Sequence, residues 1–278
     1  MTAVEDHLAT VDDLPRITSR SKAVLHSVTG RKGPVSLDEV MEVAGLQTRH
    51  EKKYLLTPRE FVELSAALED FRVLQIDGKR LFGYESAYFD SPDLALFRAH
   101  RQGRRQRYKV RTRTYLDSGE SLFEVKLKGG RGETVKLRLP YEFEDRSRIT
   151  GEAQDFLEDA LRDSYDAEPP ELTPSLTTRY TRATFVDVAD GARLTCDIDL
   201  ACTGEDTTEY GPDLILVESK STGSGRADEV LAAMGVRPVS VSKYCVGIAL
   251  TNPDLPANKW NRMLRTRFGW EREYDDAA

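Results

Sequence analysis

Cysteine is scarce in this chain: three in 278 residues, Cys196, Cys202 and Cys245, with no C-x-x-C spacing. An odd, thinly spread set argues against a disulfide scaffold and against structural zinc. Histidine is almost as sparse. His7, His26, His50 and His100 are scattered, with no H-E-x-x-H run and no serine or cysteine nucleophile motif nearby, so a histidine-based hydrolase is not expected. Long apolar runs are missing too. The longest, such as those inside Asp213-Leu-Ile-Leu-Val-Glu218 and Tyr244-Cys-Val-Gly-Ile-Ala-Leu250, fall far short of the roughly 20 residues a spanning helix needs. The first residues are acidic and no apolar core follows them, so no export signal is read and the cytoplasm is the expected location.

What the chain has is charge. Charged residues make up 31% and apolar residues 39%, the net charge is −7, and the length suits one compact domain or at most two. The distribution is uneven. Arg98 to Arg138 contains thirteen basic and four acidic residues, a net +9, which leaves −16 on the remainder. A cationic block inside an acidic protein points to a polyanionic ligand rather than to indiscriminate coating of DNA.

Within that block the charges alternate. Lys109, Arg111 and Arg113 take every second place in Tyr108-Lys-Val-Arg-Thr-Arg-Thr-Tyr115 and so share one strand face. Leu122 to Lys128 does the same with Glu124, Lys126 and Lys128, and Thr134 to Leu139 with Lys136 and Arg138. Gly129-Gly-Arg-Gly132 is read as the turn between these last two strands. One such strand is an ordinary solvated face. Three side by side place like charges opposite one another, which costs stability at each pair. A sheet curled so that its cations face an anionic ligand, with helices over the apolar outer face, relieves the repulsion.

Elsewhere, residues 1–34 are polar without a sustained period and are expected to form a mobile extension, part of it a possible added helix, with the domain proper over 35–278. Ser36 and Glu39 form a capping box for a short helix through Ala44, stopped at Gly45. His50 to Leu56 is a strand, and Thr57-Pro58 opens a helix to about Phe71. Further expected elements are a strand at Leu81 to Phe89, a helix at Gly151 to Tyr165, a hairpin of Ser175 to Val188 with Ala192 to Leu200, a strand at Leu214 to Lys220, a helix near Arg226 to Met234, a last strand at Val239 to Leu250 and a terminal helix at Ala257 to Phe268. The hairpin adds Arg179, Arg182 and Arg193, and the last strand adds Lys243.

The spacing Glu-x-Lys recurs at Glu51/Lys53, Glu124/Lys126 and Glu218/Lys220. Each pair delivers a carboxylate and an ammonium to one strand face. Singly these are local neutralising pairs of small energetic weight. Together with the ladders they suit a triphosphate, carboxylates holding a divalent ion while Lys and Arg hold the remaining phosphate oxygens.

The motifs Glu51-Lys-Lys53-Tyr54, Ser86-Ala-Tyr-Phe-Asp90, Lys109-Val-Arg-Thr-Arg113, Phe123-Glu-Val-Lys126, Tyr180-Thr-Arg182, Arg193-Leu-Thr-Cys-Asp197, Leu216-Val-Glu-Ser-Lys220 and Val241-Ser-Lys-Tyr244 resemble the VTC domain, over about Val35 to Leu250. That is the catalytic domain of polyphosphate polymerases among the triphosphate tunnel metalloenzymes. The resemblance implies an α+β fold, an eight-stranded antiparallel tunnel barrel with helices packed outside, and transfer of the terminal phosphate of ATP to a growing polyphosphate. It implies that Lys53, Arg111, Arg113, Lys126, Arg179, Arg193 and Lys243 are the phosphate-binding cations of catalysis. Lys109, Lys128, Lys136, Arg138, Arg182 and Lys220 extend the ladder. Glu218 is the implied metal ligand for Mn²⁺ or Mg²⁺, with Glu124 and Glu51 as possible second carboxylates. The resemblance does not extend to the SPX domain or membrane helices of eukaryotic members, so membrane-coupled translocation is not expected from it. Thr222-Gly-Ser-Gly225 stands where bacterial relatives have a Pro/Trp-containing loop, and it is no P-loop. Hydrolysis of a triphosphate in the same cradle, and noncatalytic binding of RNA or polyphosphate, remain as alternatives; the ladder faces interleave few aromatics of the kind RNA would need. Oligomeric state is not legible.

Overall fold

The computed structural model describes residues 19–44, 50–129, 134–223 and 225–269. The first 18 residues of the expected extension, the Gly45 helix stop, most of the Gly129-Gly-Arg-Gly132 turn and Ser224 lie outside the described residues.

Among these residues eleven strands form one sheet. The strands are β1 (Pro34–Val35), β2 (His50–Leu56), β3 (Arg72–Leu74), β4 (Phe82–Asp90), β5 (Tyr108–Tyr115), β6 (Ser121–Lys128), β7 (Thr134–Tyr141), β8 (Thr173–Val186), β9 (Arg193–Thr203), β10 (Thr208–Tyr210) and β11 (Ile215–Ser221). The helices are α1 (Arg20–Arg31), α2 (Leu37–Ala44), α3 (Pro58–Ala67), α4 (Ala95–Gln102), α5 (Gly151–Tyr165), α6 (Arg226–Ala233), α7 (Lys243–Thr251) and α8 (Asn261–Phe268). Eight strands follow one path, β2-β11-β9-β8-β4-β5-β6-β7, while β1, β3 and β10 branch from it. Every pairing along that path is antiparallel. The expected α+β fold with an antiparallel sheet and helices is present; the sheet has eleven strands, and no pairing joins β2 to β7 among the described residues. β7 carries Pro140, a residue with no N–H to give and one that belongs on an edge strand.

The outer face is apolar and covered. Tyr54, Leu56, Phe185, Leu194, Ile198 and Val217 pack with Leu25 and Val28 of α1, Phe61 and Leu64 of α3 and Leu231 of α6. Val110, Phe123, Val125 and Leu127 pack with Leu157, Ala160 and Leu161 of α5. These sheet residues alternate with the charged ones, as period-two patterning dictates. Caps set several helices: Thr57 and Glu60 accept reciprocally from each other's backbone N–H at 3.2 and 2.7 Å, and Ser36 and Glu39 do so at 3.3 and 2.8 Å.

One expectation is made specific and one changes. Residues 20–31 of the expected extension form α1, capped by Ser19, because Leu25 and Val28 give it an apolar stripe that the core accepts. Arg80 and Lys32 anchor it, Lys32 Nζ donating to the Ser65 and Leu68 carbonyls at 3.0 and 2.6 Å. The expected strand over Val239 to Leu250 is instead α7 for most of its length. Ser242 caps it, accepting from the Cys245 N–H at 3.4 Å, and every residue from Tyr244 to Leu250 is buried. A short, wholly apolar run fits a buried helix and a buried strand alike, so periodicity could not separate them. α7 packs on Tyr88, Leu176, Cys202, Leu200 and Leu216 and so covers one end of the charged face.

Candidate functional site

The antiparallel register of β2 and β11 places Glu218 opposite Lys53 and Lys220 opposite Glu51. Lys53 Nζ stands 3.0 Å from Glu51 and 3.6 Å from Glu218, and Lys220 Nζ lies 2.7 Å from the other Glu218 oxygen. Burial works to raise the Glu218 pKa, but Lys220, Lys53 and Arg182 outweigh it and hold the carboxyl well below the usual range. Glu51 is likewise lowered: burial and the neighbouring Glu218 oppose Lys53, Lys126 and Lys220, which prevail. Both side chains stay partly accessible, 19% for Glu218 and 32% for Glu51. Two hard oxygen donors in reach of solvent, ringed by cations, fit a Mn²⁺ or Mg²⁺ ion that takes its other ligands from phosphate and water.

Glu124 is differently placed. Its oxygens lie 2.6 Å from Arg111 Nη2, 3.9 Å from Arg113 and 3.5 Å from Arg138, and Lys136 is in direct contact. Burial would raise its pKa, yet Arg111, Arg113 and Lys136 hold it far below the usual carboxylate range. With 2% of its side chain exposed, Glu124 is enclosed by cations from β5 and β7. Among the described residues no three carboxylate, histidine or cysteine side chains gather as a metal group, and of the two possible partners of Glu218 it is Glu51 that shares a lysine with it. Glu124 instead holds four cations in position, and burial pushes the Lys136 pKa down to about 7, with Arg113 adding to the shift.

A third group comes from β8, β9 and α7. Arg182 donates to Asp197 from Nε at 2.6 Å and from Nη2 at 2.8 Å, and Lys243 contacts the same carboxylate. The Arg182 guanidinium lies over Tyr84 and Tyr180 at 5.1 and 5.3 Å, with Lys243 Nζ 4.3 Å from the Tyr180 ring centre. Lys243 reaches this place from the first turn of α7 rather than from a strand. Asp197 and the two tyrosines were not among the expected site residues. Their signal was present: Asp197 is two places in phase from Thr195 and four from Arg193, and Tyr180 is in phase with Arg182.

Lys109 donates to Ser242 Oγ at 2.9 Å and has no carboxylate partner among the described residues. Burial, then Lys53, Lys126 and Arg111, lower its pKa to about 8. Lys126 reaches Glu51 at 3.9 Å. Arg193 lies opposite Lys220 in the β9–β11 register, and Lys128 is in phase with Lys126 on β6. Arg179 is the exception. It pairs with Glu85, its neighbour in the β4–β8 register, at 2.5 Å, beside Arg146, which bonds that same carboxylate at 3.3 Å. Glu85 sits opposite Thr114, out of phase with Arg111 and Arg113, so Arg179 is on the helix-covered side and not with Arg182. Its spacing of three from Arg182 already puts the two on opposite faces of a regular strand.

Among solved structures, one similar fold is a candidate adenylyl cyclase from Hippeastrum with a dominant triphosphatase activity, at 17% identity and a TM-score of 0.48, covering 76% of this chain and 99% of that one. A candidate adenylate cyclase from Bacillus halodurans is similar at 14% identity and a TM-score of 0.41, covering 70% of this chain and 94% of that one. A search of curated proteins by sequence finds no match. The family model for the VTC domain matches residues 48–252, from just before β2 to just after α7, and so spans every strand that carries the cations described above. This chain belongs to the VTC domain family.

Proposed function

We propose that this protein is a metal-dependent polyphosphate polymerase, which transfers the terminal phosphate of ATP to a growing polyphosphate chain. The observation that carries the reading is the gathering of cations from β2, β5, β6, β7, β8 and β11 on one curled face, where Lys53, Lys126 and Lys220 stand around two accessible carboxylates, Glu51 and Glu218. Wrapping of the eight-strand path around the substrate as a tunnel is part of the proposal. So are the phosphate-holding roles of Lys53, Lys109, Arg111, Arg113, Lys126, Lys136, Arg138, Arg182, Arg193, Lys220 and Lys243.

In this reaction a terminal oxygen of the acceptor chain attacks the γ-phosphorus of ATP. A new P–O bond forms as the bond to the β–γ bridging oxygen breaks, its electron pair leaving with ADP. Phosphoryl transfer asks a protein for alignment and charge neutralisation more than for a nucleophile, which a wall of Lys and Arg supplies. A bound Mn²⁺ or Mg²⁺, held by Glu218 and Glu51, would add neutralisation at the phosphate oxygens.

Incubation of the purified protein with ATP and Mn²⁺, followed by sizing of the products, tests this. Long-chain polyphosphate is expected, and Glu218→Gln should lower its formation by about a hundredfold or more. No polymer from the folded protein would end the reading. One observation favours a second: α7 covers one end of the charged face, and Val239 and Ser242 bond Lys53 and Lys109 there at 2.7 and 2.9 Å, which suits a short triphosphate with water as acceptor. Orthophosphate as the sole phosphate product besides ADP would decide for hydrolysis.

A further inference from the structure

The cationic block has a part that the charged face does not use. Arg101, Arg104, Arg105 and Arg107 belong to the end of α4 and the turn into β5, and no acidic residue occurs between Asp93 and Asp117. The start of α8 lies against this turn: Lys259 Nζ is 3.4 Å from the His100 carbonyl, Arg101 Nη1 is 3.3 Å from that of Pro256, and the Phe97 and Trp260 rings are 5.8 Å apart. It brings Lys259 and Arg262, again with no acid between Asp254 and Glu271. Arg104, Arg105, Lys259 and Arg262 are exposed. Arg104 Nε bonds the neutral Gln102 at 2.8 Å, and Arg107 bonds the Arg104 carbonyl, so neither contact neutralises a charge. Arg98 stands apart, since Asp93 pairs with it.

This surface connects to the charged face. The Arg107 carbonyl accepts the Lys128 N–H at 3.0 Å, Lys128 is in phase with Lys126, and Lys126, 43% exposed, reaches Glu51. Lys126 and Lys128 share a strand face, and backbone and side-chain bonds join Lys128 to Arg107 and Arg107 to Arg104, so the cations of β6 adjoin those of the α4–β5 turn.

The surroundings narrow the partner. Phe97 and Trp260, the two rings packed together beneath this surface, are buried and so are not open for a base to stack on, as single-stranded nucleic acid would want. Among the described residues none of the exposed large hydrophobic side chains, such as Leu37, Met41 and Phe143, falls on these segments, so they offer no exposed apolar anchor for a lipid surface. A flexible inorganic chain with one negative charge per repeat fits best. We propose that the α4–β5 turn and the start of α8 form a second polyanion site, which holds the distal part of a polyphosphate chain whose terminal phosphates lie on the charged face. The inference deepens the polymerase reading and rests on it for the second half of that statement.

The test compares binding of long-chain polyphosphate with binding of tripolyphosphate, each over a range of salt, in the full-length protein and in a variant combining Arg104→Ala, Arg107→Ala, Lys259→Ala and Arg262→Ala. The variant should bind the long chain about tenfold or more weakly with a flatter salt dependence, and should bind tripolyphosphate as before. An Arg104→Glu/Arg107→Glu variant with an unchanged unfolding midpoint should show the same split and guards against a folding artefact. Unchanged long-chain affinity, equal weakening of both ligands, or a wild type that prefers neither ligand would overturn the site. So would loss confined to single-stranded RNA or phosphatidylserine vesicles. If ATP turnover is absent while the split persists, the site stands and the polymerase reading fails; if polymer forms and the split is absent, the site alone fails.

Discussion

Lys126 on β6 and Glu51 on β2 stand 3.9 Å apart, although β2 is one end of the eight-strand path, β6 is the strand next to the other end, and the two share no backbone pairing among the described residues. A flat sheet would hold them several strand widths apart, at nearly 5 Å per strand. The contact therefore measures how far the sheet curls. It also explains why a face so rich in like charge is tolerated, since the curl brings Glu51 and Glu218 from one edge toward the cations of the other.

Glu124 is expected to act as the counter-ion of that cationic edge. Glu124→Gln leaves Arg111, Arg113, Lys136 and Arg138 facing one another with their charge uncompensated, a loss of about 3 kcal/mol or more in unfolding free energy. Urea unfolding with and without tripolyphosphate checks it: the anion should restore part of the loss. An unchanged midpoint would mean that the four cations do not depend on this carboxylate.

Lys109 should make binding of a polyanion depend on pH. Its pKa is lowered from 10.5 to about 8 in the folded chain, so the unfolded chain retains the proton over that window while the folded chain sheds it. Stability should accordingly rise with pH between about 8 and 10.5, with the penalty for the buried charge present in full below about 8. An anion restores the charged form, so triphosphate binding near pH 8 should take up protons. Calorimetry in two buffers of different ionisation enthalpy reads that uptake, which Lys109→Met should reduce.

Arg179 and Arg182 should separate cleanly. Arg182→Ala removes a guanidinium that Asp197 aims into the charged face, and turnover is expected to fall by about a hundredfold. Arg179→Ala removes a partner of Glu85 on the helix-covered side and should leave kcat/KM within about twofold, a change far below that of a lost transition-state contact. Equal losses in the two variants would mean that Arg179 reaches the substrate after all.

Leu25 ties α1 to the core and is fully buried. Leu25→Ala should cost about 2–5 kcal/mol, as truncation of a buried leucine does. Thermal unfolding checks it, and a negligible shift would return residues 20–31 to the status of an appendage.

Much of the architecture was legible because it rests on local rules. The Ser36/Glu39 capping box, the helix start at Thr57-Pro58 and the alternation in β5 and β6 each need only a few neighbouring residues to be read. The Glu-x-Lys pairs were legible as pairs for the same reason. Their unequal surroundings were not. Glu218 and Glu51 share Lys53 and stay in reach of solvent, whereas Glu124 is enclosed, and only the curl of the sheet distinguishes them.

The sequence by itself determined which side chains share a strand face, since a period of two follows from backbone geometry, and which segment concentrates positive charge. Tertiary structure alone decided the rest. The folding of an apolar run into α7, the placing of Lys243 on Asp197 and the meeting of Lys126 with Glu51 all depend on partners far away in the chain. Burial and pairing are properties of surroundings, and those exist only once distant segments pack together.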